Sequence, residues 1–253
     1  MASIAAQFAT RGKKCVAIGR NYAAHIKELN NATPTEPFFF LKPTSSYALS
    51  ADGKVEIPGG ITCHHEVELG VVIGKGGRDI TAAQAFDHVA GYVSTTQASS
   101  FHAYRTTPDG TRSQTLAIDY TARNMQDAVK AKGLPWSAAK GFDTFSPVGQ
   151  FVPKDKVQDP HNLRIWYKVN GETRQDDNTS LMLYRIPELI AHVSSIMTLE
   201  EGDLILTGTP KGVSRVVAGD KIEAGLESTD GTLLDHLEHV MKDREGGYQF
   251  KGK

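Results

Sequence analysis

The ten residues HHEVELGVVI, 64–73, limit the fold more than any other stretch of the chain. Val67, Leu69, Val71, Val72 and Ile73 give them the apolar content of a buried strand, yet Glu66 and Glu68 interrupt it. Alternate residues of an extended chain share a face, so His64, Glu66 and Glu68 point one way and His65, Val67 and Leu69 the other. Two like charges on one face repel, and an unpaired buried charge costs several kcal/mol. A fold that keeps this strand inside must bring something positive to the same place.

Composition removes several classes of function. The 253 residues carry a formal net charge of −1, so no basic surplus is available to neutralise phosphates and no nucleic-acid partner is expected. No apolar run approaches the roughly 18 residues of a membrane helix, and no membrane partner is expected. Cys15 and Cys63 are the only cysteines, which fits a reducing compartment rather than a disulfide framework. The length suits one large domain. The opening MASIAAQFATRGKK is basic and free of acids, like a short organelle presequence, and lacks the apolar core of a secretory signal. Mitochondrial and cytoplasmic locations both fit.

Periodicity predicts short strands with a few helices. Strands are expected at 15–19, 36–43, 54–60 and 64–73, and helices at 21–30 and 81–92, the latter with Thr81 as N-cap. Residues 116–133 pass from strand to helix, with Gly133 as C-cap. Alternating apolar residues flank Asn170-Gly171 in LRIWYKVNGETRQ, the strongest hairpin signal in the chain. A helix should follow Pro187, and strands should form from LILTGTP and GDKIEAGLE. Without regular βαβ alternation, a doubly wound parallel sheet is disfavoured. The expected class is α+β, strand-rich, with antiparallel or mixed sheets.

For Glu66 and Glu68 alone, a solvated edge, a salt-bridge site and a polar cavity wall all remain open. Asp119, in the apolar stretch LAIDYTARN, adds a third carboxylate. Three acids on buried strands suit a hard divalent cation, which takes oxygen ligands and leaves positions for water or substrate. Zinc is disfavoured because the histidines lack zinc spacing; His64 and His65 are candidate outer partners. His25 and Glu28 lie three apart on one helix face. A solvent-facing pair is the ordinary reading; the functional one is a general base, with Glu28 orienting the imidazole. Lys140, alone among small and apolar residues, is either a surface lysine or a cation that stabilises a developing enolate or oxyanion.

In this order, GRNYAAHIKEL, FFFLKPTSSY, HHEVELGVVIG, LAIDYTARNMQ, KGLPWSAAKGFDTFSPVG, VNGETRQ and LTGTPKGV resemble the fumarylacetoacetate hydrolase superfamily. The match spans nearly the whole chain and is best with the acylpyruvase, oxaloacetate decarboxylase and oxaloacetate tautomerase branch. The resemblance implies a mixed β-sandwich roll of the C-terminal-domain type, a homodimer, and Mg2+ or Mn2+ as cofactor. It implies Glu66, Glu68 and Asp119 as metal ligands, and His25 and Glu28 as a catalytic dyad on a lid helix. Lys140, Gln126 and Thr209 would contact a small 2-oxo acid, with Arg20 and Tyr22 near the pocket. Lys42 matches a family position without an assigned role. The alternatives are a superfamily hydratase or isomerase of dienoate catabolism, or a metal-binding homologue disabled by an insertion.

That insertion is residues 93–114, rich in Ser, Thr, Gly and Pro, which the family pattern lacks. Its removal joins HVAGY to TLAIDYTARN as one apolar strand. Val-Ser at its start and Gln at its end are encodable by the sequences that open and close an intron, and the segment reads as a retained intron.

Overall fold

The computed structural model describes residues 4–49, 54–93 and 117–252. The 93–114 insertion lies outside these residues except for Val93.

Among the described residues, short strands fall into four sheets, mostly antiparallel, as an α+β chain without βαβ repeats requires. The largest runs in the order Phe151–Pro153, Val89–Val93, Gly70–Ile73, Leu204–Leu206, Cys15–Gly19, Phe38–Lys42. Among the described residues its only parallel pair is Cys15–Gly19 with Leu204–Leu206. A five-stranded sheet is built around the 164–178 hairpin. There Asn170 and Gly171 take φ of +51° and +80°, the left-handed pair that a two-residue turn of this twist demands. Pro187 sits in the first turn of Ile186–Ile196, where a missing N–H costs nothing, and the Glu188 carboxylate accepts the Arg185 N–H at 2.7 Å.

The stretch 64–73 is not one strand. Cys63–His64, Val67–Glu68 and Gly70–Ile73 belong to three different sheets. Each piece is enclosed, so the run stays apolar while its partners change. Alternation cannot report such breaks, because burial on every side erases the period of two. The flanks of the insertion also part company: Val89–Val93 lies in the six-stranded sheet and Ala117–Ile118 pairs with Val67–Glu68. They do not form one ladder. Within 81–92 the helical part is a 3-10 segment, Ala82–Asp87, before the Val89–Val93 strand; Thr81 donates to the Gln84 side chain rather than capping. The 21–30 helix is reduced to Ala23–Glu28, closed by Asn30 at a φ of +49°.

Behind the Val67 strand runs a buried aromatic and imidazole column. The His65 ring stacks on Tyr167 at 4.0 Å, and the Tyr120 hydroxyl lies 2.8 Å from that of Tyr167 and 2.7 Å from His239 Nε2. Burial lowers the pKa of His65 to about 4 and of His239 to about 3, from 6.5. Both folded values lie below the unfolded one, so between pH 6.5 and about 4 the unfolded chain binds protons that the folded chain refuses. Stability is therefore expected to fall with pH in that window, by about 1.4 kcal/mol per pH unit for each of these histidines. Urea midpoints at pH 7 and pH 5 measure it; replacing His239 by Gln should flatten the slope.

Candidate active site

Glu66, Glu68 and Asp119 come together because two chain segments meet at one point. The Asp119 N–H donates to Glu66 O at 2.8 Å, while Ile118 and Ala117 pair with Val67 and Glu68. Pairing across that ladder sets the three carboxylates side by side, with one oxygen from each inside a 4.8 Å cluster. All three residues are buried.

The positive charge that the sequence demanded is partly supplied by the protein. Lys140 Nζ donates to Glu66 Oε2 at 2.8 Å and to Asp119 Oδ2 at 2.5 Å. Arg123 pairs with the other oxygen of Glu66, and Lys42 with the other oxygen of Asp119. Burial works against ionisation of Glu66, but the charges of Lys140 and Arg123 overcome it and hold its carboxyl far below the usual range. Burial likewise works against the Lys140 ammonium, and Asp119 and Glu66 hold its pKa above the ordinary lysine value.

Glu68 is different. Its Oε2 accepts the Gly208 N–H at 2.7 Å, and among the described residues it makes no ion pair. Burial, then the charges of Asp119 and Glu66, push its carboxyl well above the usual range. A buried carboxylate beside two others, lacking a cation of its own, fits a metal ion. The oxygen-only donor set suits a hard divalent ion such as Mg2+ or Mn2+. Glu66, Glu68 and Asp119 are the residues that would hold it.

The cluster lies in a cleft of about 270 Å³. Its wall includes His25, Arg20, Gln126, Lys140 and Thr209. His25 is buried with Nδ1 3.3 Å from Glu28 Oε2, and Glu28 Oε1 accepts the Gly212 N–H at 3.0 Å. The loop that reaches both acids depends on two glycines. Gly208 and Gly212 take φ of +95° and +96°, and a Cβ at Gly212 would lie 2.0 Å from Arg174 O. Arg20, also left-handed at a φ of +56°, sets its guanidinium 5.5 Å from the Phe38 ring centre. Tyr22 is buried and absent from the cleft wall, and among the described residues its hydroxyl has no hydrogen-bond partner.

Arg123, His64, Asp127 and Lys130 also line the cleft. His64 is one of the candidate outer partners expected from the sequence; Arg123, Asp127 and Lys130 are not among the expected site residues, although 123, 126, 127 and 130 follow the i, i+3, i+4, i+7 pattern of one helix face. Helix Arg123–Ala131 presents that polar stripe to the cleft, with Arg123 donating to Gln126 Oε1 at 2.5 Å. Phe40 and Trp136, their rings 5.6 Å apart, join Ile18 and Leu29 in the apolar part of the wall.

The comparisons agree with this architecture. A Dictyostelium discoideum protein named a mitochondrial oxaloacetate decarboxylase is 50% identical over 225 residues, covering 88% of this chain and 93% of its own. An Arabidopsis thaliana protein named a mitochondrial oxaloacetate tautomerase is 48% identical over 226 residues, covering 89% and 91%. A Pseudomonas aeruginosa fumarylpyruvate hydrolase, solved with Mn2+ and pyruvate, superposes with a TM-score of 0.75 at 30% identity, covering 92% of this chain and 90% of that one. The profile of the fumarylacetoacetate (FAA) hydrolase C-terminal family matches residues 14–107 and 112–237, breaking inside the insertion, and the chain belongs to that family.

Proposed function

We propose that this chain is a Mg2+- or Mn2+-dependent enzyme of small 2-oxo acids, with oxaloacetate as substrate for decarboxylation or keto–enol tautomerisation and acylpyruvate hydrolysis as a related capacity. The single observation that carries the reading is Glu68, a buried carboxylate without an ion-pair partner among the described residues, in a cleft walled by His25, Lys140 and Arg123. The names of the relatives support oxaloacetate chemistry and a mitochondrial location. The family resemblance supports a homodimer, and reading 93–114 as a retained intron keeps the rest of the fold in family order.

Charge balance favours a dicarboxylate. Glu66, Glu68 and Asp119 are offset by Lys42, Lys140 and Arg123. A divalent ion would then leave two positive charges, the complement of an oxaloacetate dianion. When bound, the ion supplies Lewis-acid polarisation of the 2-oxo group. Lys140 and Arg123 add fixed positive charge beside the same carboxylates and favour an enolate-like charge distribution. Glu28 holds His25 through Nδ1 and leaves Nε2 to take or return a proton. Gln126, held by Arg123, offers its amide to the substrate.

The test is the purified protein with and without Mg2+ or Mn2+, assayed against acetylpyruvate and both oxaloacetate tautomers. Metal-dependent turnover of oxaloacetate is expected. Turnover untouched by chelation, or none on any of these substrates, would remove the reading.

A further inference from the structure

Lys42 closes strand Phe38–Lys42 and is 1% exposed, a place where an ammonium is rarely found unless it is paired. Alternation puts it on the same strand face as Phe38 and Phe40. Phe40 lines the cleft, and Lys42, two residues further along, does not. Its ammonium pairs with Asp119 Oδ1 and donates to Phe145 O at 3.1 Å. Lys140 and Arg123, the other cations of the carboxylate cluster, both line the cleft. Lys42 therefore meets Asp119 from the protein side, where no ligand in the cleft touches it.

Asp119 does not need this second cation for its own sake. Its other oxygen, Oδ2, already accepts from Lys140 at 2.5 Å. With Lys140 and Arg123 alone, the carboxylates of Glu66, Glu68 and Asp119 would keep one net negative charge. A site of that sign attracts a divalent cation and repels a dianion. Lys42 removes the surplus without occupying a position that a ligand could take. Its charge acts across a single buried carboxylate, where the surroundings screen it weakly. Its effects on the two ligands must have opposite signs, against the metal ion and in favour of an anionic substrate.

We propose that Lys42 is a positioning residue whose charge, acting through Asp119, shifts the binding preference of the site from the bare divalent ion toward the dianionic 2-oxo acid. The proposal rests on the metal-dependent 2-oxo acid reading above and gives a role to the one clustered cation that lies outside the cleft wall among the described residues.

Two affinities test it, both read by calorimetry and neither by turnover. One is that of Mn2+ for protein freed of metal by a chelator; the other is that of oxalate, a dianion, for protein at saturating Mn2+. Lys42→Met should tighten Mn2+ and weaken oxalate, each by about 10-fold, the order expected of one unit charge acting across a carboxylate at an effective protein dielectric. Lys42→Gln, which keeps an N–H donor on a shorter side chain, should reproduce both shifts, because it lacks the charge too. A structural role predicts a different pattern. Loosening Asp119 would weaken Mn2+ and oxalate together, and glutamine would recover part of the loss. Should the methionine variant fail to fold, the glutamine variant decides alone; failure of both makes Lys42 a requirement of the fold and overturns the proposal. Weaker Mn2+ binding in either folded variant, or an unchanged oxalate affinity, also overturns it while leaving the 2-oxo acid reading standing. If the unaltered protein binds neither Mn2+ nor oxalate, that reading falls and the proposal with it.

Discussion

Glu68→Gln is expected to abolish divalent-metal binding and turnover together while the protein stays folded. The carboxylate is buried beside Glu66 and Asp119, and among the described residues it has no cationic partner. In the absence of metal its charge is a liability: two negative neighbours and a dry surrounding both disfavour ionisation. An amide of the same shape removes the repulsion and keeps an oxygen for the Gly208 N–H, so the metal-free variant should unfold at an equal or higher temperature. With metal the sign reverses. Mn2+ should raise the melting temperature of the unaltered protein by mass action and leave the variant unmoved. Calorimetric Mn2+ affinity should drop by more than about 100-fold and kcat by at least about 1,000-fold, as expected when an essential charged ligand is lost. A variant that binds Mn2+ normally would show that the ion, if any, is held elsewhere. The opposite pattern is expected for Glu66, already paired with Lys140 and Arg123, where removing the charge leaves the half-buried Arg123 without its carboxylate and Lys140 with Asp119 alone, and should destabilise the fold.

That contrast marks what the sequence could and could not disclose. The paired acids in an apolar run announced a buried charge problem, and Asp119 in its own apolar run announced a third participant. The structure resolves the problem in two unequal ways, with protein cations for Glu66 and Asp119 and, among the described residues, none for Glu68. Nothing in the local pattern distinguishes positions 66 and 68, because their difference is set by side chains from Arg123 and Lys140, far away along the chain. The Asn170-Gly171 hairpin was legible because its cause is local: two left-handed residues and alternating flanks. The division of 64–73 among three sheets was not, since a segment covered on all sides has no periodicity left to read. The role of Lys42 was hidden for a related reason. It ends the motif FFFLK in a strand whose other residues are partly buried or exposed, and only the packing that brings Asp119 and Phe145 to its end gives its ammonium partners. The polar stripe 123, 126, 127, 130 could have been found, because it obeys the helical period within one element.

His25→Ala is expected to separate the reactions that one site supports. The imidazole is buried at the cleft wall, oriented by Glu28, which is itself anchored by the Gly212 N–H. It touches none of the three clustered carboxylates within salt-bridge distance among the described residues, so Mn2+ affinity should change by less than about 3-fold. Reactions that require a proton to be moved by the protein should suffer most. Tautomerisation exchanges a C3 proton, and acylpyruvate hydrolysis needs an activated water, so both should slow by about 100- to 10,000-fold, the usual contribution of a general base. Oxaloacetate decarboxylation breaks the C3–C4 bond without prior proton removal from C3, and its barrier depends on stabilising the enolate left behind. It should lose less than about 10-fold in kcat, and the product should appear as pyruvate enol before slower ketonisation. Glu28→Gln keeps the hydrogen-bonding shape without the charge and should show the same split at smaller size. Stopped-flow absorbance at the enol band, run beside a carbon dioxide assay, reads both arms. A uniform loss across the three reactions would place His25 in substrate binding instead of proton transfer, and an unchanged rate for tautomerisation would remove it from the mechanism.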